Sequence, residues 1–188
     1  MNTVEFKHGG REAGFSYIEV MVAIVILMVG ILGVLAAISA SVIQSRGQRQ
    51  QLTARHILGT TMESIMAAKE TDPLRLGWKS IGNVGSNLNE LGVPQGVFLT
   101  GFRPVQTIAG TDEVVGTGDD SGAITSGYER EIVITDLCDT DRPSANCALP
   151  GTWPVKLRSV RVTVRYWVGT TERQERLATV LTDYSKSN

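Results

Sequence analysis

The chain is poor in the side chains that carry most enzyme chemistry. Its 188 residues include two histidines, His8 and His56, and two cysteines, Cys138 and Cys147. Imidazole-based catalysis needs a histidine beside a nucleophile and an orienting group, and no such constellation is legible. The cysteines lack the further ligands that a zinc site requires. There is no glycine loop of the phosphate-cradling type. Formal net charge is −1, so nucleic acid or anionic lipid would have to be drawn by a local patch, not by the molecule as a whole. The most informative absence is of charge itself: between Glu19 and Arg46 no residue is charged.

That charge-free run, Val20 to Ser45, has 26 residues. As a helix it measures about 39 Å, longer than the ~30 Å hydrocarbon core of a bilayer. Cleavage as an ordinary secretory signal, after Ile38-Ser39-Ala40, conflicts with this length, because such apolar regions run about 7–15 residues. A plain single-pass anchor fits the length but leaves Glu19 unexplained, at about 2.5–3.5 kcal/mol if it lay at mid-bilayer. A third reading uses the carboxylate: it is retained because it meets a cation on a neighbouring chain.

Gly14-Phe15-Ser16-Tyr17-Ile18-Glu19, followed by an apolar helix, resembles the class III signal of type IV pilins and type II secretion pseudopilins. The resemblance implies that a prepilin peptidase/methyltransferase cuts between Gly14 and Phe15, on the cytoplasmic side, and N-methylates Phe15. It implies that Glu19 then attracts the terminal amine of an adjacent subunit as helices stack into a filament. Lys7 and Arg11 of the leader are offset by Glu5 and Glu12, and Arg46, Arg49 and Arg55 follow the apolar run. Orientation therefore rests on the cleavage motif and not on the distribution of positive charge. The continuation from Val25 to Ala37 resembles the V-type minor pilins, the type IV pilus modification proteins; the I-type minor pseudopilins of type II secretion share much of the pattern. Gly30 and Gly33 each cost about 1 kcal/mol of helix propensity. Either close helix packing in lipid or local unwinding during assembly accounts for them.

Beyond Arg46 the pattern turns amphipathic, with Leu52, Leu58, Met62, Ile65 and Met66 at three- and four-residue offsets and no breaker before Asp72-Pro73. One helix from about Phe15 to Glu70 is expected. The methionines read as core filling and His56 as a surface or boundary residue. Residues 73–127 read as loops with one or two short strands, such as Gly96–Thr100. Glu129–Thr135 reads as a strand. In Ser159–Val168, Val160, Val162, Val164, Tyr166 and Val168 share one face, and Arg161, Thr163, Arg165 and Trp167 the other. A turn at Gly169–Glu172 leads to a strand over Arg173–Tyr184. An antiparallel sheet with one buried face can be covered by a long helix. Pattern and resemblance together imply an α+β, pilin-like lollipop: a leader 1–14, an assembly half of the helix 15–45, an amphipathic half 46–72 and a β-sheet head 73–188.

An extracytoplasmic head, which the resemblance implies, favours a Cys138–Cys147 disulfide contributing about 2–3 kcal/mol; two free thiols are the alternative. Zinc finds no support in the histidines, because His8 would leave with the leader and His56 lies on the helix. Asp112, Glu113, Asp119 and Asp120 are oxygen ligands of a kind that calcium takes, but no ordered D-x-D-x-D-G loop is present. They read as a solvated loop, as do Asp136, Asp139 and Asp141. Arg158, Arg161 and Arg165, near Trp167, are a candidate DNA strip or an ordinary solvated sheet face.

The resemblance implies a non-enzymatic structural protein without cofactor. It would be held in the inner membrane with its head in the periplasm and then built into a pilus at or near the tip. Its partners would be the major pilin, other minor pilins, the prepilin peptidase, the inner-membrane assembly platform and, before assembly, lipid; contact with DNA or a host surface stays open. A rival of a different class is a membrane-tethered periplasmic binding or enzymatic domain, for which Gly14-Phe15 and Glu19 would be unnecessary.

Overall fold

The structure, a computed structural model, describes residues 14, 16–71, 76–86, 88, 91–137 and 155–183. It divides into two units, residues 1–45 and 46–188.

The first unit consists of the N-terminal part of helix α1, Tyr17–Glu70. Ser16 opens the helix, its carbonyl accepting from Glu19 N–H at 3.0 Å and Val20 N–H at 3.2 Å. Glu19 in the first turn complements the positive end of the helix dipole. Every described residue of this unit is exposed, on a segment whose mean hydropathy reaches 3.0 over 18 residues. A helix apolar on all sides with nothing covering it is long and apolar enough to cross a membrane. The expected single helix is thus observed, starting at Tyr17.

In the second unit, α1 buries Ala54, Ile57, Leu58, Thr61, Met62, Ile65 and Ala68. These positions follow the three- and four-residue steps of one helical face. Leu52 and Met66, expected in that stripe, are 65% and 42% exposed. Leu52 lies two residues before Ala54, about 200° around the helix, and Met66 is one step of about 100° past Ile65.

The helix packs on a four-stranded meander in the order β1-β2-β3-β4: β1 Arg103–Ile108, β2 Ser121–Leu137, β3 Leu157–Val168 and β4 Thr171–Thr182. All neighbouring pairs are antiparallel. The core joins the helix face to Ile132, Ile134, Val160, Val162, Val164 and Tyr166, with Ile81, Phe98, Val105 and Val114 at the side. The turn expected after Val168 is Gly169-Thr170. The strand expected after it is observed, two residues earlier at its start.

Three elements differ from expectation. β1 carries Pro104, which argues against a central strand but is tolerated at an edge, and β1 is an edge strand. β2 begins eight residues before Glu129, and its Gly- and Thr-containing first part pairs with β1 through two register shifts. Gly96–Thr100 is not a strand; Phe98 makes only an isolated bridge with Asn83. Gly96 is required there because a Cβ would lie 2.1 Å from the Asn83 carbonyl oxygen.

Where β1 ends, β2 would be left without a partner on that side, since β1 reaches only Glu129 and Arg130 at that end. Asn83 fills the gap. Its Nδ2 donates to the Ile132 carbonyl at 2.8 Å, and its Oδ1 accepts from Ile134 N–H at 2.8 Å. One side-chain amide thereby replaces a missing strand.

Candidate functional site

Gly14 is exposed and lies just before the helix; Phe15 lies outside the described residues. Glu19 is exposed, and among the described residues its carboxylate has no hydrogen-bond or ion-pair partner. A carboxylate at this position carries a desolvation cost wherever the apolar helix around it leaves water. At Gly30 and Gly33 the helix is continuous, and a Cβ at either would meet nothing within 4 Å. No contact among the described residues requires these glycines. Cys138 and Cys147, with Asp139 and Asp141, lie outside the described residues.

The three arginines do not form a strip. Arg158 is two residues before Val160 and therefore shares the core face. Its side chain is fully buried, with Nε donating to Asp136 Oδ1 at 2.9 Å, Nη1 to the Trp78 carbonyl, and its guanidinium 4.6 Å from the Trp78 ring centre. Burial lowers the pKa of this guanidinium, and Asp136 opposes the effect. Arg165 lies on the opposite face, 4.2 Å from the Phe102 ring centre and 5.7 Å from that of Trp167, and it donates to Glu129. Arg161 is exposed on the same side as Arg165. One cation of the expected strip is thus inside the protein and a second is paired with a carboxylate.

The acidic loop is committed to its own structure. Asp119 Oδ2 accepts from Thr111 N–H (2.7 Å), Thr111 Oγ1 (2.9 Å) and Asp112 N–H (3.2 Å), while Oδ1 accepts from Thr117 Oγ1 (2.7 Å). The Thr117 and Thr111 hydroxyls hold the Asp119 carboxyl well below the usual range. Asp112 Oδ1 accepts from Val114 N–H at 2.8 Å. Asp120 Oδ2 accepts from Gly116 N–H at 2.8 Å and from Arg130 Nη2 at 3.0 Å. Gly116 has φ +97°, and a Cβ there would approach Ile132 Cδ1 to 2.4 Å, so the loop closes tightly only over glycine. These carboxylates work as loop acceptors and do not converge on a point as calcium ligands do.

Arg130 was not singled out by the sequence reading, although it is in phase with Ile132 and Ile134. It is 5% exposed, and Nη1 donates to Thr61 Oγ1 on α1 at 3.3 Å. Ser64 Oγ on the same helix accepts from Val115 N–H at 3.0 Å. The loop is therefore tied to the helix directly through Ser64 and indirectly through Arg130, which holds Asp120 and Thr61 together. At the other end of the sheet, Glu175 accepts from Gln51 Nε2 at 2.7 Å and from Arg55 Nε at 3.3 Å.

Compared with family models, with curated proteins and with solved structures, the chain matches none of them.

Proposed function

We propose that the chain is a minor pilin, a non-enzymatic subunit of type IV pili that takes part in pilus assembly at or near the tip. The observation that carries this reading is Gly14-Phe15 placed just ahead of a helix that begins at Tyr17, with an unpartnered Glu19 in its first turn and an exposed apolar surface behind it. A membrane anchor needs the apolar surface but neither the Gly-Phe pair nor the carboxylate. On this reading, cleavage after Gly14 creates a new amine at Phe15, and Glu19 of one subunit pairs with that amine on the next. In a low-dielectric filament core such a pair is favourable only if both charges are matched, so the carboxylate would register neighbouring helices as well as join them. Before assembly the apolar helix would hold the protein in the inner membrane, with the sheet in the periplasm. Its partners would be the major pilin and other minor pilins.

The test is the N-terminal mass and sequence of the protein recovered from membranes. A chain beginning at N-methylated Phe15 is expected. One beginning near Ser41 would mean ordinary signal cleavage and would sink the filament reading. One retaining Met1, in cells with an active prepilin peptidase, would reduce it to an anchored domain.

A further inference from the structure

The loop between β1 and β2 encloses a carboxylate oxygen that has no hydrogen-bond partner. The Asp120 side chain is 7% exposed. Its Oδ2 is doubly used, by Gly116 N–H and Arg130, but its Oδ1 is buried and meets no donor. Asp120 borders a cavity of about 30 Å³, whose other lining residues include Thr117, Arg130, Arg103, Gln106 and Leu99. A water molecule needs about 10–15 Å³ of such space, together with two to four polar partners. The cavity therefore has room for one or two waters.

The charges around it select the kind of occupant. Asp120 supplies one negative charge, and Arg130 already lies against its other oxygen. Arg103 also lines the cavity, with its Nε donating to the Thr100 carbonyl at 3.3 Å. A divalent cation would have to displace or tolerate the Arg130 guanidinium, whereas an anion would face the bare carboxylate oxygen. A neutral donor satisfies Oδ1 without either conflict. Buried polar groups that protein atoms leave unmet are ordinarily met by ordered water.

We propose that this cavity is a hydration site holding one or two waters, one of which donates to Asp120 Oδ1 and is shared with Gln106 or Arg103. The water completes the acceptor set of the carboxylate that grips both Gly116 and Arg130. Because Arg130 also reaches Thr61 on α1, the hydrated carboxylate sits at the join between the loop and the helix. The inference is independent of the pilin reading, since it rests on the loop alone.

A crystal structure of the full chain in detergent, at a resolution that shows waters, is the direct test. The expected result is an ordered solvent peak within hydrogen-bond distance of Asp120 Oδ1. A protein donor found on Oδ1, or an empty cavity with a dry oxygen, would overturn the proposal. Titration of the isotope-labelled full chain with calcium chloride, followed through the Gly116 and Thr117 amide resonances, separates water from a metal ion. Unchanged shifts are expected; saturable shifts confined to the loop would replace the water with a cation.

Discussion

Replacing Asn83 by leucine removes the side chain that stands in for a strand while keeping its approximate volume. Asn83 is 8% exposed and makes two good hydrogen bonds to the β2 backbone. Its loss leaves the Ile132 carbonyl and the Ile134 N–H buried without partners, each at about 1–3 kcal/mol. The expected total is about 3 kcal/mol, because partial relaxation lets one group find a substitute. For urea slopes of about 1–3 kcal/mol per molar, that lowers the unfolding midpoint by about 1–3 M. The assay is urea unfolding of the full chain in detergent, followed by tryptophan fluorescence. Hydrogen exchange at Ile134 should accelerate in parallel. Asn83→Asp retains the acceptor for Ile134 N–H but sets a carboxylate oxygen against the Ile132 carbonyl. Its handicap should therefore shrink as pH falls, when the protonated carboxyl recovers a donor. A change of only about 0.5 kcal/mol for Asn83→Leu, the range of ordinary surface substitutions, would refute the claim that this amide substitutes for a strand.

Other outcomes follow from the same geometry. Arg130→Leu strands the Asp120 carboxylate and should cost about 3–5 kcal/mol, as removal of one partner of a buried pair does; an unchanged unfolding midpoint would show that the pair is dispensable. Asp119 has a depressed folded-state pKa, so its stabilising contribution is present above the unfolded value near 3.8 and is lost as pH falls through the folded one. Amide shifts of Thr111 and Asp112 should accordingly hold steady from neutral pH to about pH 4 and move only in stronger acid, whereas Thr117→Val should shift that transition upward. Glu19→Ala should abolish incorporation into surface pili while membrane levels of the protein persist; normal incorporation would remove the registration role. If the head is periplasmic, Cys138 and Cys147 should resist an alkylating reagent until a reductant is added, and immediate double labelling would mean free thiols.

Much of the fold was legible because it is written in two periodicities. The α1 face and the alternation of Val160, Val162 and Val164 both report a single buried layer, and each was readable without the other. What was missed broke those patterns for definite reasons. Pro104 hid β1, since a proline forbids a central strand but not an edge. The Gly- and Ser-containing start of β2 has no apolar alternation because it lies beyond the part of the sheet that the core covers. Leu52 misled because hydrophobicity was counted without its angular position. Arg158 and Arg130 could have been placed correctly: each is in phase with the buried residues of its strand, and a charge in phase with a core announces a buried ion pair. Asn83 left no signal, as its role depends on a strand 49 residues away. The N-terminal motif was readable from its residues, and no packing among the described residues expresses it; on the proposed reading its counterpart lies in another subunit.

The contact between α1 and Glu175 spans 124 residues of sequence. It sets an order of events as well as a fold. Of the described elements the helix leaves the ribosome before any strand, yet its buried face, from Ala54 to Ala68, is completed by strands that end at Thr182. The β3–β4 hairpin, closed by a two-residue turn, can form locally and early, whereas docking the helix must wait for the whole chain. Through synthesis the helix therefore travels with its apolar face uncovered, the condition in which nascent chains aggregate. Loss of the last strand would take Leu181 from the core and Glu175 from Gln51 and Arg55, so the stretch after Gly169 helps to hold an element made long before it.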